Sequence, residues 1–249
     1  MSGHNKWSTI KRKKGAMDTK RSKIFSKIIK EIQIAIKESG PIPDTNPRLR
    51  IAIQNAKGAN MPKDNIQRAI SKASAEGANL QEITFEGYAP GGVAIFVECL
   101  SDNNNRTVSN IRSIFNKRGG NLGTNGSLSF LFEHKGVFTI PKVQIKSMDE
   151  FELEVIDAGV EDLEEQEDII ILTCPMESFG KVSKKLEEMK IEPENAELRR
   201  IPNDYKTLPV EAALKVLKMI DEFEDDDDVQ NVWHNLEMTD EIIHAMENN

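Results

Sequence analysis

Two cysteines, two tyrosines and two tryptophans in 249 residues, with no long apolar run, set the first limits on this sequence. Its longest apolar stretches are pieces such as VAIFV and IIIL, far short of the ~20 residues that span a bilayer. The N-terminus is positively charged but has no apolar stretch behind it, so no secretory signal is expected. Its lysine-heavy character, leading into an ordinary helix, speaks against a mitochondrial leader. Cys99 and Cys174 each lie in an apolar, β-like run and are expected as buried free thiols of a reducing compartment. A cytoplasmic protein without a membrane partner follows as the expectation.

Catalytic signatures are equally scarce. The four histidines, His4, His134, His234 and His244, form no HExxH or His-x-His pattern, and neither a G-x-S-x-G elbow nor a Walker lysine motif is present. GGNLG lacks the strand before and helix after of a dinucleotide loop, and reads as a tight turn. EFEDDDDVQNVWHN places four aspartates ahead of His234. Consecutive side chains diverge, however, and the EF-hand glycine and terminal glutamate are missing, so a solvated acidic turn is expected. With no nucleophile–base pair in view, the sequence predicts a non-enzyme with no cofactor and no metal.

What is present is segregated charge. Residues 1–30 hold ten Lys/Arg against one acid, Asp18, while the whole chain is −8, which leaves −17 on the remainder. Asp149 to Asp168 contains eleven acids and no Lys/Arg, and so does Asp221 to Asn249. A polyanion would attract the basic head and be repelled by the body, which predicts one localised contact face.

The first 80 residues read as helices. Ile24, Phe25, Ile28, Ile29, Ile32, Ala35 and Ile36 form one apolar stripe at helical spacing, and SGPIPD ends it. Asn46 and Pro47 are suited to N-cap and first helical position of a second helix. A third starts near NMPKDN and carries Ile66, Ala69, Ile70 and Ala73. From Glu82 the pattern changes to strands, ITFEGY and GVAIFVECL joined by APGG, then a helix over NRTVSNIRSIFNKRG, the GGNLGTNG connection and a strand SLSFLFE. GVFTI to NAELRRIP then gives β-α-β-β-α-β, a ferredoxin-like order, and LPVEAALKVLKMIDEF and VQNVWHNL add a helix and a strand. The expected fold is α+β: an N-terminal three-helix domain followed by two ferredoxin-like α+β domains, the second inserted into the first. The boundaries are 1–80, 81–134 plus 203–240, and 135–202, with 241–249 as a C-terminal tail.

The basic head carries the functional expectation. Trp7 is interleaved with Lys6, Lys11, Arg12, Lys13 and Lys14, and Lys20, Arg21 and Lys23 continue the patch into the first helix. Cations neutralise phosphates, and an indole stacks on an unpaired base. Arg48, Arg50 and Lys63 add charge at two helix starts, where phosphate is favoured. Arg106, with Asn103, Asn104 and Asn105, precedes a further helix, where the amides either cap it or meet a phosphate. The competing expectation is a solvated basic surface with Trp7 packed on the body, or an acidic protein-interaction module that uses the arm as a tether.

SGHNKWSTIKRKKGAMDTKRSKIFSK, NPRLR, ANMPKDNI, FEGYAPGGVAIFVECLSDNNNRT, GGNLGTNGSLSFLFE and DDDDVQNVWHN together resemble the YebC/PmpR family over nearly the whole chain. The resemblance implies a three-domain cytosolic protein with a non-enzymatic role in gene expression. That family includes bacterial proteins named as probable transcriptional regulators and a mitochondrial translational activator. Its members are associated with promoter DNA or with helping ribosomes through proline runs. DNA and ribosomal RNA, the latter on the ribosome, are thus the implied partners, and the oligomeric state stays open. The family's DNxNRT motif often has Arg at its third place. Asn104 stands there in this chain, which weakens the case for a phosphate contact at Arg106.

Overall fold

The computed structural model describes residues 18–77 and 79–247. Three helices come first, α1 (Asp18–Ser39), α2 (Pro47–Gly58) and α3 (Lys63–Glu76). Ile32, Ala35 and Ile36 of α1 meet Leu49, Ala52 and Ala56 of α2 and Ile66, Ala69 and Ala73 of α3 in one core. Ile24, expected in the same stripe, is exposed. Asn46 caps α2 as its position suggested. Its Oδ1 accepts from the Leu49 amide at 3.0 Å, while its Nδ2 donates to the carbonyls of Ala35 and Gly40. One buried side chain thereby ties α1 to the start of α2.

Two four-stranded sheets follow. The first has the order β3-β1-β2-β8, from β1 (Gln81–Ala89), β2 (Val93–Ser101), β3 (Asn121–Leu122) and β8 (Val229–His234). β1 and β2 form a hairpin through Pro90–Gly92, where Gly91 and Gly92 both adopt positive φ, a conformation in which glycine carries no steric cost. α4 (Asn104–Lys117) and α7 (Val210–Asp225) belong to the core of this sheet, with Ile111, Phe115, Ile220 and Phe223 at its centre. The second sheet has the order β5-β6-β4-β7, from β4 (Phe132–Pro141), β5 (Asp162–Glu165), β6 (Ile169–Pro175) and β7 (Asn195–Pro202). Numbered within that segment the order is 2-3-1-4, the ferredoxin-like arrangement. α5 (Met148–Asp157) and α6 (Phe179–Glu188) pack on it through Phe151, Val155, Val182 and Leu186.

Contacts divide the chain into two compact units. One joins Asn79–Glu133 and Ile201–Asn249 with α1 through Lys23, and the other joins Ile24–Ala78 and His134–Arg200. Within the second unit α2 lies directly against the strand region. The Asn55 amide donates to the carbonyl of Ala196 and its oxygen accepts from the same residue's N–H. A Cβ at Gly58 would lie 1.8 Å from the backbone oxygen of Glu194, so only glycine permits this approach.

Two expected elements differ. SLSFLFE is not a single strand: Ser129–Leu131 make a short 3-10 turn, and Phe132 opens β4 of the second sheet. The buried carboxylate of Glu86 is the reason, since it accepts from the amides of Gly126 and Leu128 at 2.7 and 2.5 Å and fixes the preceding loop in a non-extended path. The expected tail is also structured. Asp240–Glu247 form α8, and Ile242 is wholly buried in the first sheet's core.

Candidate nucleic-acid interface

Of the thirteen residues proposed from sequence, Lys6, Trp7, Lys11, Arg12, Lys13 and Lys14 lie outside the described residues, as does the side chain of Lys20. Lys20, Arg21 and Lys23 all fall on the first turns of α1, and Arg21 is exposed. Lys23 has an acidic partner within its own unit: Nζ lies 2.5 Å from Asp225 Oδ1 and also donates to that residue's carbonyl. This cation is half exposed, so a phosphate could reach it only by competing with Asp225.

The helix-start cations divide by environment. Arg48 is engaged by two carboxylates of α1, Glu38 at 2.7 Å and Glu31 at 3.2 Å, and so serves as a strut between helices. Arg50 donates instead to the carbonyl oxygens of Pro43 and Asp44, and among the described residues no carboxylate pairs with it. Lys63 is exposed at the first residue of α3, whose N-terminus has no side-chain cap. Arg68, five residues further along α3, is also exposed and, among the described contacts, bonds neutral acceptors, the Asp64 carbonyl and Asn65. It was not singled out from sequence, since a five-residue offset from Lys63 lies about 140° around the helix and gives no shared-face signal. α3 therefore presents two exposed cations, Lys63 and Arg68.

Arg106 and its asparagines do structural work. Asn103 caps α4 by accepting from the Arg106 amide at 3.1 Å, and Asn104 donates to Gln81. The Arg106 guanidinium donates to Asp228 at 2.8 Å and Asp102 at 2.8 Å, and these hydrogen bonds, that to Asp228 first, raise its pKa further. Asp228 is buried and also accepts from Thr107 Oγ1 at 2.9 Å and Ser101 Oγ at 3.1 Å. A carboxylate out of water needs such a set of donors. The solvated turn expected for the four aspartates is thus corrected at Asp228. Asp225 holds Lys23, and Asp226 accepts from Asn110 and from the Asp228 amide. Among the described residues no group of three or more His, Cys, Asp or Glu is placed to hold a metal ion, and no helix is long and apolar enough to cross a membrane.

Both cysteines are buried and free. Burial, seconded by the charge of Glu161, pushes the Cys174 thiol up to about 11, which leaves it a packing group rather than a nucleophile.

Comparison with known proteins matches these features to one family along the chain. Residues 5–76 match the profile of the TACO1/YebC protein N-terminal domain, and residues 80–236 match that of the TACO1/YebC second and third domain. A protein of Brachyspira hyodysenteriae named probable transcriptional regulatory protein is 50% identical over 246 residues, covering 98% of this chain and 99% of the relative. One of the same name from Amoebophilus asiaticus is 49% identical over 239 residues, covering 95% and 98%. The crystal structure of a conserved hypothetical protein from Aquifex aeolicus superposes with a TM-score of 0.80 at 42% identity, covering 91% of this chain and 94% of that one. The chain belongs to the TACO1/YebC family.

Proposed function

We propose that this chain is a non-enzymatic regulator of gene expression that binds nucleic acid through its basic N-terminal segment and the exposed cations of the helical domain. The observation that carries the proposal is the charge segregation: +9 on residues 1–30 against −17 on the rest. Arg50, Lys63 and Arg68 add exposed cations on α2 and α3, none of them seen paired with a carboxylate among the described contacts. Trp7 would stack on an exposed base while Lys6, Lys11, Arg12, Lys13 and Lys14 neutralise phosphates. The relatives are named probable transcriptional regulatory proteins, and for a transcriptional regulator duplex DNA is the partner we infer.

A second reading, a translation factor that binds ribosomal RNA, is favoured by one feature. Trp7 set among lysines and arginines in the basic arm suits the unpaired bases of irregular RNA at least as well as a major groove. Co-sedimentation with ribosomes from the same cells, beside binding to random and selected duplex DNA at two salt concentrations, separates the two. Salt-sensitive ribosome binding lost in Lys11→Glu/Arg12→Glu supports the translation factor. Selective duplex binding without ribosome association supports the transcriptional regulator. Failure to bind either one overturns the proposal.

A further inference from the structure

Helix α4 departs from the surface composition of its neighbours. The outer face of α6 carries Lys181, Lys184, Glu187 and Glu188, and that of α7 carries Glu211, Lys215 and Lys218, long side chains that favour helix. The outer face of α4 carries Asn105, Ser109, Arg112, Ser113 and Asn116, all exposed. Ser and Asn compete for their own backbone and weaken a helix interior. Nothing in the packing calls for them, since the inward face is already made by Thr107, Ile111, Ile114 and Phe115. A local rule broken on an exposed surface points to a ligand.

The electrostatics agree. Asn104–Lys117 contains no Asp or Glu, in a body that is otherwise strongly acidic. Four carboxylates at its flanks are already engaged: Asp102 and Asp228 by Arg106, Asp226 by Asn110, and Glu222 by Lys117 and Arg118. Those last two hydrogen bonds hold the Glu222 carboxyl below its ordinary range. Among the described residues no carboxylate pairs with Arg112. The same outer residues, with Val108 and Lys117, share one open face of the helix, and Asn105 to Asn116 spans roughly 16 Å along the helix axis.

We propose that the outer face of α4 is a second nucleic-acid contact, separate from the basic arm, that takes the sugar-phosphate backbone. Arg112 pairs with a phosphate, and Ser109, Ser113, Asn105 and Asn116 donate to phosphate and sugar oxygens. Short donors let the backbone approach the helix closely, where lysines and glutamates would hold it off. Contacts of this kind fix register and carry no sequence information. The proposal rests on the nucleic-acid reading above and adds where the second anchor lies.

The test is fluorescence anisotropy of the full chain with a labelled duplex DNA and a labelled RNA hairpin of equal charge, over a series of salt concentrations. Arg112→Gln is expected to weaken binding about tenfold and to reduce the slope of log K against log[salt] by about 0.9, one phosphate contact. Arg112→Lys keeps the slope. Lys181→Gln on α6, which removes an equal exposed charge, leaves binding unchanged. Loss confined to one probe identifies DNA or RNA as the source of the backbone. If Arg112→Gln matches the parent in affinity and slope while Lys11→Glu/Arg12→Glu abolishes binding, the α4 contact is overturned and the arm stands alone. If the parent binds neither probe, the nucleic-acid reading falls, and the α4 contact with it.

Discussion

The two sheets share a plan, four strands with α4 and α7 packed on the first and α5 and α6 on the second, to which α8 adds in the first, but they are closed by different chemistry. The second is sealed by apolar packing: Phe138 and Phe179 stack with centroids 4.7 Å apart, and Ile140, Ile170 and Leu172 are fully buried beside them. The first has an apolar centre too, with Phe115 and Phe223 at 4.9 Å. It also carries two buried carboxylates: Asp228, just ahead of β8, which accepts from Ser101 at the end of β2 and Thr107 in α4, and Glu86 of β1, which accepts from two amides of the glycine-rich loop. Buried charge is a poor source of net stability but a strict one of geometry, because each donor must be in place. The difference teaches that α4 and the loop after it are held by position, whereas the second sheet is held by volume.

Removing volume should therefore have the largest effect. Phe138→Ala should destabilise the second sheet by about 4 kcal/mol, read as loss of hydrogen-exchange protection in β4 and β6. Asp228→Ala leaves Ser101, Thr107 and Arg106 without their shared acceptor. It should cost about 3 kcal/mol and deprotect the first turn of α4 while β4 and β6 stay protected. An equal loss in both sheets would erase the distinction drawn between them. Glu86→Gln keeps one acceptor and sets an NH2 against a backbone N–H. It should cost about 2 kcal/mol and speed proteolysis between residues 119 and 131, leaving the second sheet intact.

Chemical probes sharpen the contrast further. Neither thiol should react with a disulfide reagent in the native protein at neutral pH, and both should react in denaturant. Cys174, raised to about 11 by burial, favours its protonated form in the fold. Its contribution is complete below the ordinary thiol range and is lost as pH climbs through about 11. Glu222 has the opposite sign. Its folded pKa is lowered by Lys117 and Arg118, so its contribution is present above the ordinary carboxylate range and disappears as pH falls through the lowered value. Glu222→Gln should flatten this acid limb by less than ~1 kcal/mol, the smallest effect of the series.

Much of this architecture was legible in the sequence because periodicity reports local structure. The β-α-β-β-α-β order and the Asn46 cap needed only spacing and residue type. SLSFLFE misled because its alternation of Leu and Phe imitates a strand, while Glu86, some forty residues earlier, bends the chain away and leaves Phe130 exposed. Asp228 looked like one more solvated acid, since its donors lie more than a hundred residues away in sequence. The cations were countable but their partners were not. Lys63 and Arg48 read alike in sequence, yet one is exposed and the other is a strut between Glu31 and Glu38.

The measurement closest to the central claim is the salt dependence of nucleic-acid binding by the full chain beside Lys11→Glu/Arg12→Glu/Lys13→Glu/Lys14→Glu. The account predicts a steep slope for the parent, and for the variant a loss of about a hundredfold or more with a shallower slope. Equal affinity and equal slope in the two proteins would contradict it.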